Sequence, residues 1–147
     1  MKKQTTRALL GLAAALMLTV AANAQVLNTV TIRVPFDFAA GEKQMPAGRY
    51  TIQRIKSDSE SALLIRSEDG RSTAVVLTST GEKSPRSAAF TFRRHGERHF
   101  LAEVSMPGAA SVRALPKTGA ERRLERELAE QNKSDDSKTV TVVGSVQ

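Results

Sequence analysis

The chain has 147 residues, with 22 Lys and Arg against 15 Asp and Glu, a formal charge of +7, and no cysteine. Zero cysteines exclude disulfides, thiol catalysis and thiolate metal sites, so burial alone has to hold the fold together. The aromatic residues are five Phe and one Tyr, mostly at core-like positions, and the basic residues are scattered. That excludes the basic stripe with stacking rings on which nucleic-acid binding depends.

Residues 1–24 read as a cleavable secretory signal peptide. Lys2, Lys3 and Arg7 give a positive start, and residues 8–22 are apolar apart from Gly11 and Thr19. Ala22-Asn23-Ala24 supplies small residues at −3 and −1, making Gln25 the new N-terminus. The 15-residue apolar run is short of the ~20 that cross a bilayer as a helix. An N-terminal lipid anchor would need a cysteine. The reading is therefore an exported protein, periplasmic or secreted, with no stable membrane span after cleavage. Removing the three leader cations leaves 19 basic against 15 acidic residues. That surplus reads as solubility, or as weak attraction to anionic envelope surfaces.

In the mature chain, Val30, Ile32, Val34, Phe36 and Phe38 alternate with polar partners, which predicts a strand buried on one face. Pro35 cannot donate to a ladder, so this strand lies at an edge or bends there. Ala40-Gly41-Glu42-Lys43 and Pro46-Ala47-Gly48 are turn signals. Residues 49–55 read as a strand with Tyr50 and Ile52 inward, and residues 56–61 as a polar loop. Residues 62–66 and 73–78 flank Glu68-Asp69-Gly70-Arg71, a hairpin signal. Their short continuous apolar runs predict central strands covered on both faces. Residues 79–87 read as a loop.

A second hairpin follows, turning at His95-Gly96-Glu97. Ala88, Phe90 and Phe92 alternate in one arm and Phe100, Ala102, Val104 and Met106 in the other. Residues 112–115 add a short strand. Thr118-Gly119-Ala120-Glu121 is a capping box, with Glu121 reaching back to the N-cap. Ala120, Leu124 and Leu128 then form a narrow apolar stripe, which predicts a helix over 118–131 docked along one edge. Residues 132–138 are polar. Residues 139–143 have high β-propensity and read either as an edge strand or as a disordered tail.

These elements predict one domain over residues 25–131, followed by a polar linker and strand or tail over 132–147. The fold class is all-β: a small antiparallel β sandwich or barrel of about six to eight strands with one short C-terminal α-helix.

Val34-Pro35-Phe36-Asp37-Phe38, Gly41 and Met45-Pro46-Ala47-Gly48-Arg49-Tyr50 resemble the opening of small uncharacterised exported β-domain proteins common in acidobacterial genomes. The stretch from Phe92 to Val104 and Leu115-Pro116-Lys117 with Glu121-Arg122 are similar as well. The resemblance spans most of the mature chain. It implies export and a compact β domain, and it carries no activity, substrate or catalytic residue.

Leu115-Pro116-Lys117-Thr118-Gly119 matches the sortase pattern, but the charged, helical residues that follow lack the apolar segment that mechanism needs. The better reading is a proline turn into a capped helix. His95 and His99, with Glu97 between them, flank a tight turn. Zinc chemistry is conceivable there, but the hairpin spacing favours solvent-exposed turn residues and no metal site. Asp37 and Glu103 are strand carboxylates, which would serve glycoside cleavage only if brought ~5 to 10 Å apart. Asn132-Lys133-Ser134 is a bare glycosylation sequon. No phosphate loop, nucleophile elbow or cofactor motif is present. The function read from this pattern is a non-enzymatic binding or envelope-associated module. The alternatives are a polysaccharide-directed hydrolase using strand carboxylates and an assembly subunit donating its C-terminal strand.

Overall fold

A computed structural model describes residues 30–56, 59–83, 87–131 and 138–146. The signal peptide predicted over residues 1–24, with its expected cleavage site at Ala22, Ala24 and Gln25, lies outside the described residues, as does the Asn132 sequon. The described chain is a two-sheet β sandwich with one helix near its C-terminal end, as the alternation predicts.

Sheet A is antiparallel and contains β1 (Val30–Val34), β4 (Gly48–Lys56), β5 (Ser59–Ser67) and β6 (Thr73–Leu77), with β12 (Ser145–Val146) beyond β1. The long alternation from Val30 to Phe38 is divided between two sheets. β1 ends at Val34, the chain bends at Pro35 and Phe36, and Phe38 begins β2 (Phe38–Ala40) in sheet B. Proline sits where the ladder has to be left, and no sheet donor is lost. The predicted polar loop at 56–61 is shorter than its composition suggests. β4 and β5 extend into it, pairing Lys56 with Ser59 past a bulge between Arg54 and Lys56.

Sheet B contains β8 (Ala89–His95) and β9 (Arg98–Ser105) as its central hairpin. Gly96 makes the turn at φ +59°, a left-handed conformation that a residue without Cβ adopts readily. The far edge of β9 is shared: β2 pairs with it in parallel at His99 and Phe100, and β10 (Arg113–Ala114) pairs at Glu103 and Val104. β3 (Lys43–Met45) pairs with β2, and β7 (Ser79–Thr80), read from sequence as loop, pairs with β10.

One irregularity changes which side chains face inward. Thr91 pairs with Glu103 and Phe92 with Leu101, so Ala102 is an extra residue on β9. A bulge of this kind breaks the period-two pattern. Leu101 and Val104 therefore enter the core, whereas Phe100 is buried outside it. The expected alternation of Phe100, Ala102 and Val104 on a single face is corrected by that bulge.

Between the sheets lie Ile32, Val34, Tyr50, Leu63 and Ile65 from sheet A, against Phe38, Phe90, Phe92, Leu101 and Val104 from sheet B. Phe38 is the hub, with its ring 5.2 Å from both Tyr50 and Phe92 in edge-on geometry. Such aromatic pairs add about 1 kcal/mol each beyond the area they bury.

The C-terminal segment fastens the two layers together. β11 (Lys138–Val143) lines the outer edge of β8 through six registered pairs, so residues 139–143 form a strand. Gly144 then crosses, donating its N–H to Ala88, and β12 pairs with β1 in the opposite sheet. A Cβ on Gly144 would lie 2.6 Å from the Thr31 carbonyl oxygen and 2.5 Å from Ile32 Cγ1. The crossing is possible only because that atom is missing.

Candidate functional site

The helix α1 (Gly119–Glu130) starts at Thr118, whose hydroxyl accepts from the Glu121 N–H at 3.1 Å. Only this half of the capping box forms. The Glu121 carboxylate turns inward and is fully buried against the outer side of sheet B. Arg93 of β8 donates to it in a two-pronged pair, Nε to Oε1 at 2.6 Å and an Nη to Oε2 at 2.9 Å. His95 Nε2 lies 3.1 Å from Oε1 of Glu121 and 3.4 Å from Oε1 of Glu125. Lys117 closes the far side by pairing with Glu125.

The inward stripe of α1 is therefore Glu121, Leu124, Glu125 and Leu128. That is i, i+3, i+4, i+7 spacing, and it replaces the expected stripe of Ala120, Leu124 and Leu128, since Ala120 is exposed. Two half-buried leucines give a short helix little apolar area for docking. The charged latch of Arg93, His95 and Glu121 supplies the remaining attachment.

Burial alone would raise the pKa of Glu121. The Arg93 hydrogen bonds and charge, with the His95 hydrogen bond, outweigh it and hold the carboxyl below its ordinary value of 4.5. The histidine reading is thereby corrected for one residue. His95 is 1 % exposed, not a solvated turn residue, because its strand runs under the helix before the chain turns. His99 is half-buried, with its ring stacked on Phe36 at 3.9 Å. Desolvation, followed by the nearby Arg94 charge, lowers the His99 pKa.

Ligand atoms of His95, Glu121 and Glu125 lie within 4.8 Å of one another. Both Glu121 oxygens already receive Arg93, and Glu125 already faces Lys117. A cation entering this cluster would have to displace two neutralising partners. The cluster works as a latch.

The remaining sequence candidates are structural. Leu115 is buried, its N–H donates to Ala102 and Thr118 caps the helix, so the sortase-like pentapeptide is the structural entry to α1. Asp37 accepts from the Ala47 N–H at 2.7 Å and fastens the β3–β4 turn. Glu103 pairs with Lys83 at 3.3 Å. Phe38, next to Asp37, registers with His99, four residues before Glu103. Asp37 and Glu103 are thus separated by roughly 16 Å of strand, outside the range for a carboxylate pair. A groove along α1 is lined by Arg122, Glu125, Arg126 and Ala129, with a single carboxylate among them.

The two outer faces of the sandwich differ. Sheet B is covered by α1 at Arg93 and His95, whereas the outer face of sheet A carries no such layer among the described residues. The register places Arg33 beside Arg49, then Thr31, Thr51, Arg66 and Thr73 in one row. The next row is Gln53, Leu64 and Val75, and Ala62 with Leu77 follows. Val75 is 59 % and Leu77 71 % exposed, and Ile55 near the end of β4 is 49 % exposed. Arg49 pairs with Glu68 at 2.7 Å, an exposed contact of at most about 1 kcal/mol. Arg33 and Arg66 have no ion-pair partner among the described residues. The continuous apolar runs at 62–66 and 73–78 predict strands covered on both sides; the exposed Val75 and Leu77 and the edge position of β6 correct that. The detectable signal was the absence of a second amphipathic helix to cover them.

No family model, curated protein or solved structure matches this chain.

Proposed function

We propose that the chain is an exported, non-enzymatic binding module that works at the cell envelope. The open face of sheet A is its working surface, and its target is an anionic envelope surface. The observation that carries this reading is the presence of Arg33 and Arg66, without ion-pair partners among the described residues, and of exposed Leu77, Val75 and Ile55 on sheet A, whose outer face no described helix covers. Basic side chains near an anionic surface contribute about 1 kcal/mol each, and apolar neighbours add burial at the interface. The affinity is therefore modest and salt-sensitive. The leader pattern of residues 1–24 supports export, and the likeness to small exported acidobacterial β-domain proteins agrees with it. The separation of Asp37 from Glu103 along the strands does not favour that pair as the carboxylates of a hydrolase.

Co-sedimentation with vesicles tests the reading. The chain beginning at Gln25 pellets with vesicles rich in anionic lipid, stays in solution with zwitterionic ones, and is released by salt. An Arg33→Glu, Arg66→Glu double variant stays in solution with both. Equal binding to both lipid classes, or none to either, contradicts the reading.

A further inference from the structure

β6 closes sheet A on one side, and its outward edge is unpaired among the described residues. The ladder phase identifies the unpaired groups. Thr78 N–H donates to Ser61 and Ser67 N–H to Ser72, so in this register Val76 and Ala74 also direct their backbone groups toward β5. Thr73, Val75 and Leu77 direct their N–H and C=O groups away from the sheet. The edge runs Thr-Ala-Val-Val-Leu, without the charge, proline or bulge that normally blunts such a strand. Its outer face carries the exposed Val75 and Leu77.

We propose that β6 is a strand-addition edge that takes β6 of a second copy, antiparallel about a twofold axis at Val75. An antiparallel edge is complementary to itself under a twofold. Here Val75 meets its own copy, and Thr73 and Leu77 each meet the other. The five paired residues are uncharged, so no like charges come face to face. The cations of the face are set back, with Arg66 on β5, Arg49 on β4 and Arg33 on β1. By strand spacing the two Arg66 residues of such a pair lie roughly 19 Å apart, beyond the screening length of about 8 Å at physiological salt. The apolar row of Leu64 and Val75 then continues across the seam into the copy, and sheet A becomes one ten-stranded sheet. A five-residue seam is small by interface standards, so the association is concentration-dependent, not obligate.

Sedimentation velocity over about 10 µM to 1 mM reads this directly. The wild-type chain shifts from monomer to dimer across that range. Val75→Lys, and separately Leu77→Lys, remain monomeric at 1 mM with unchanged circular dichroism, because both side chains already face water. Arg33→Glu with Arg66→Glu dimerises like wild type, which separates this inference from the vesicle reading. A wild-type chain that stays monomeric to 1 mM overturns the proposal. So does a Val75→Lys chain that still dimerises, or loss of dimer in Val143→Lys on the opposite sheet.

Discussion

Glu121 shows how one residue can attach an element. It reads in sequence as half of a capping box, yet its carboxylate lies buried between Arg93 and His95. Replacing it with Gln leaves Arg93 without its counter-charge in a partly buried position. We expect a loss of about 2 kcal/mol, read as a lower urea midpoint with unchanged slope. The pH dependence has a defined sign. The folded-state pKa lies below the ordinary 4.5, so the stabilisation is fully present above that value and is lost as pH falls through the folded value. The wild-type stability curve therefore drops more steeply than that of Glu121→Gln below about pH 4.5. Parallel curves for the two proteins would show that the Arg93 contact does not hold this carboxylate ionised. Thr118→Ala removes the helix cap and costs about 1 kcal/mol, a smaller effect that leaves this pH difference in place.

At the scale of elements, the C-terminal crossing is the most demanding contact. Gly144→Ala puts a methyl group against the backbone of β1, which cannot shift as a side-chain end can. We expect a cost of about 2 to 3 kcal/mol and faster amide exchange in β12 and β1. Unchanged exchange would mean that β12 does not seat on β1. The legible elements were those whose signal is local. Alternation marked β1 and β8, Gly70 and Gly96 marked the hairpins, and Thr118 marked the helix start. What escaped depends on partners. The bulge at Ala102 turns Phe100 away from the core, and nothing in the order Phe100-Leu101-Ala102 announces it. The position of β6 at an edge follows from the topology, whereas its apolar run suggested a centre. Glu121 looked like a cap because its true partner, Arg93, is 28 residues away in sequence.

At the scale of the molecule, the sandwich is asymmetric. One outer face is covered at Arg93 and His95 by a helix held through charge, and the other carries no helix among the described residues and presents Arg66 near the exposed Val75. The C-terminal strand completes both sheets within the same chain, since Val140 and Val142 register with Phe92 and Phe90 and pack against the core. Removing residues 138–147 leaves β8 and β1 with bare edges, and we expect insoluble expression or a melting temperature lower by more than 10 °C. A truncated chain that melts like the full one would show that the strand adds nothing to the fold.

The central claim is that the open face of sheet A is the working surface. Chemical-shift mapping of the Gln25–Gln147 chain with anionic bicelles tests it most directly. The account predicts changes concentrated at Arg33, Thr51, Leu64, Arg66, Val75 and Leu77, with the amides of α1 and of Arg93 and His95 unmoved. Changes centred on α1 and its groove, with sheet A silent, would contradict it.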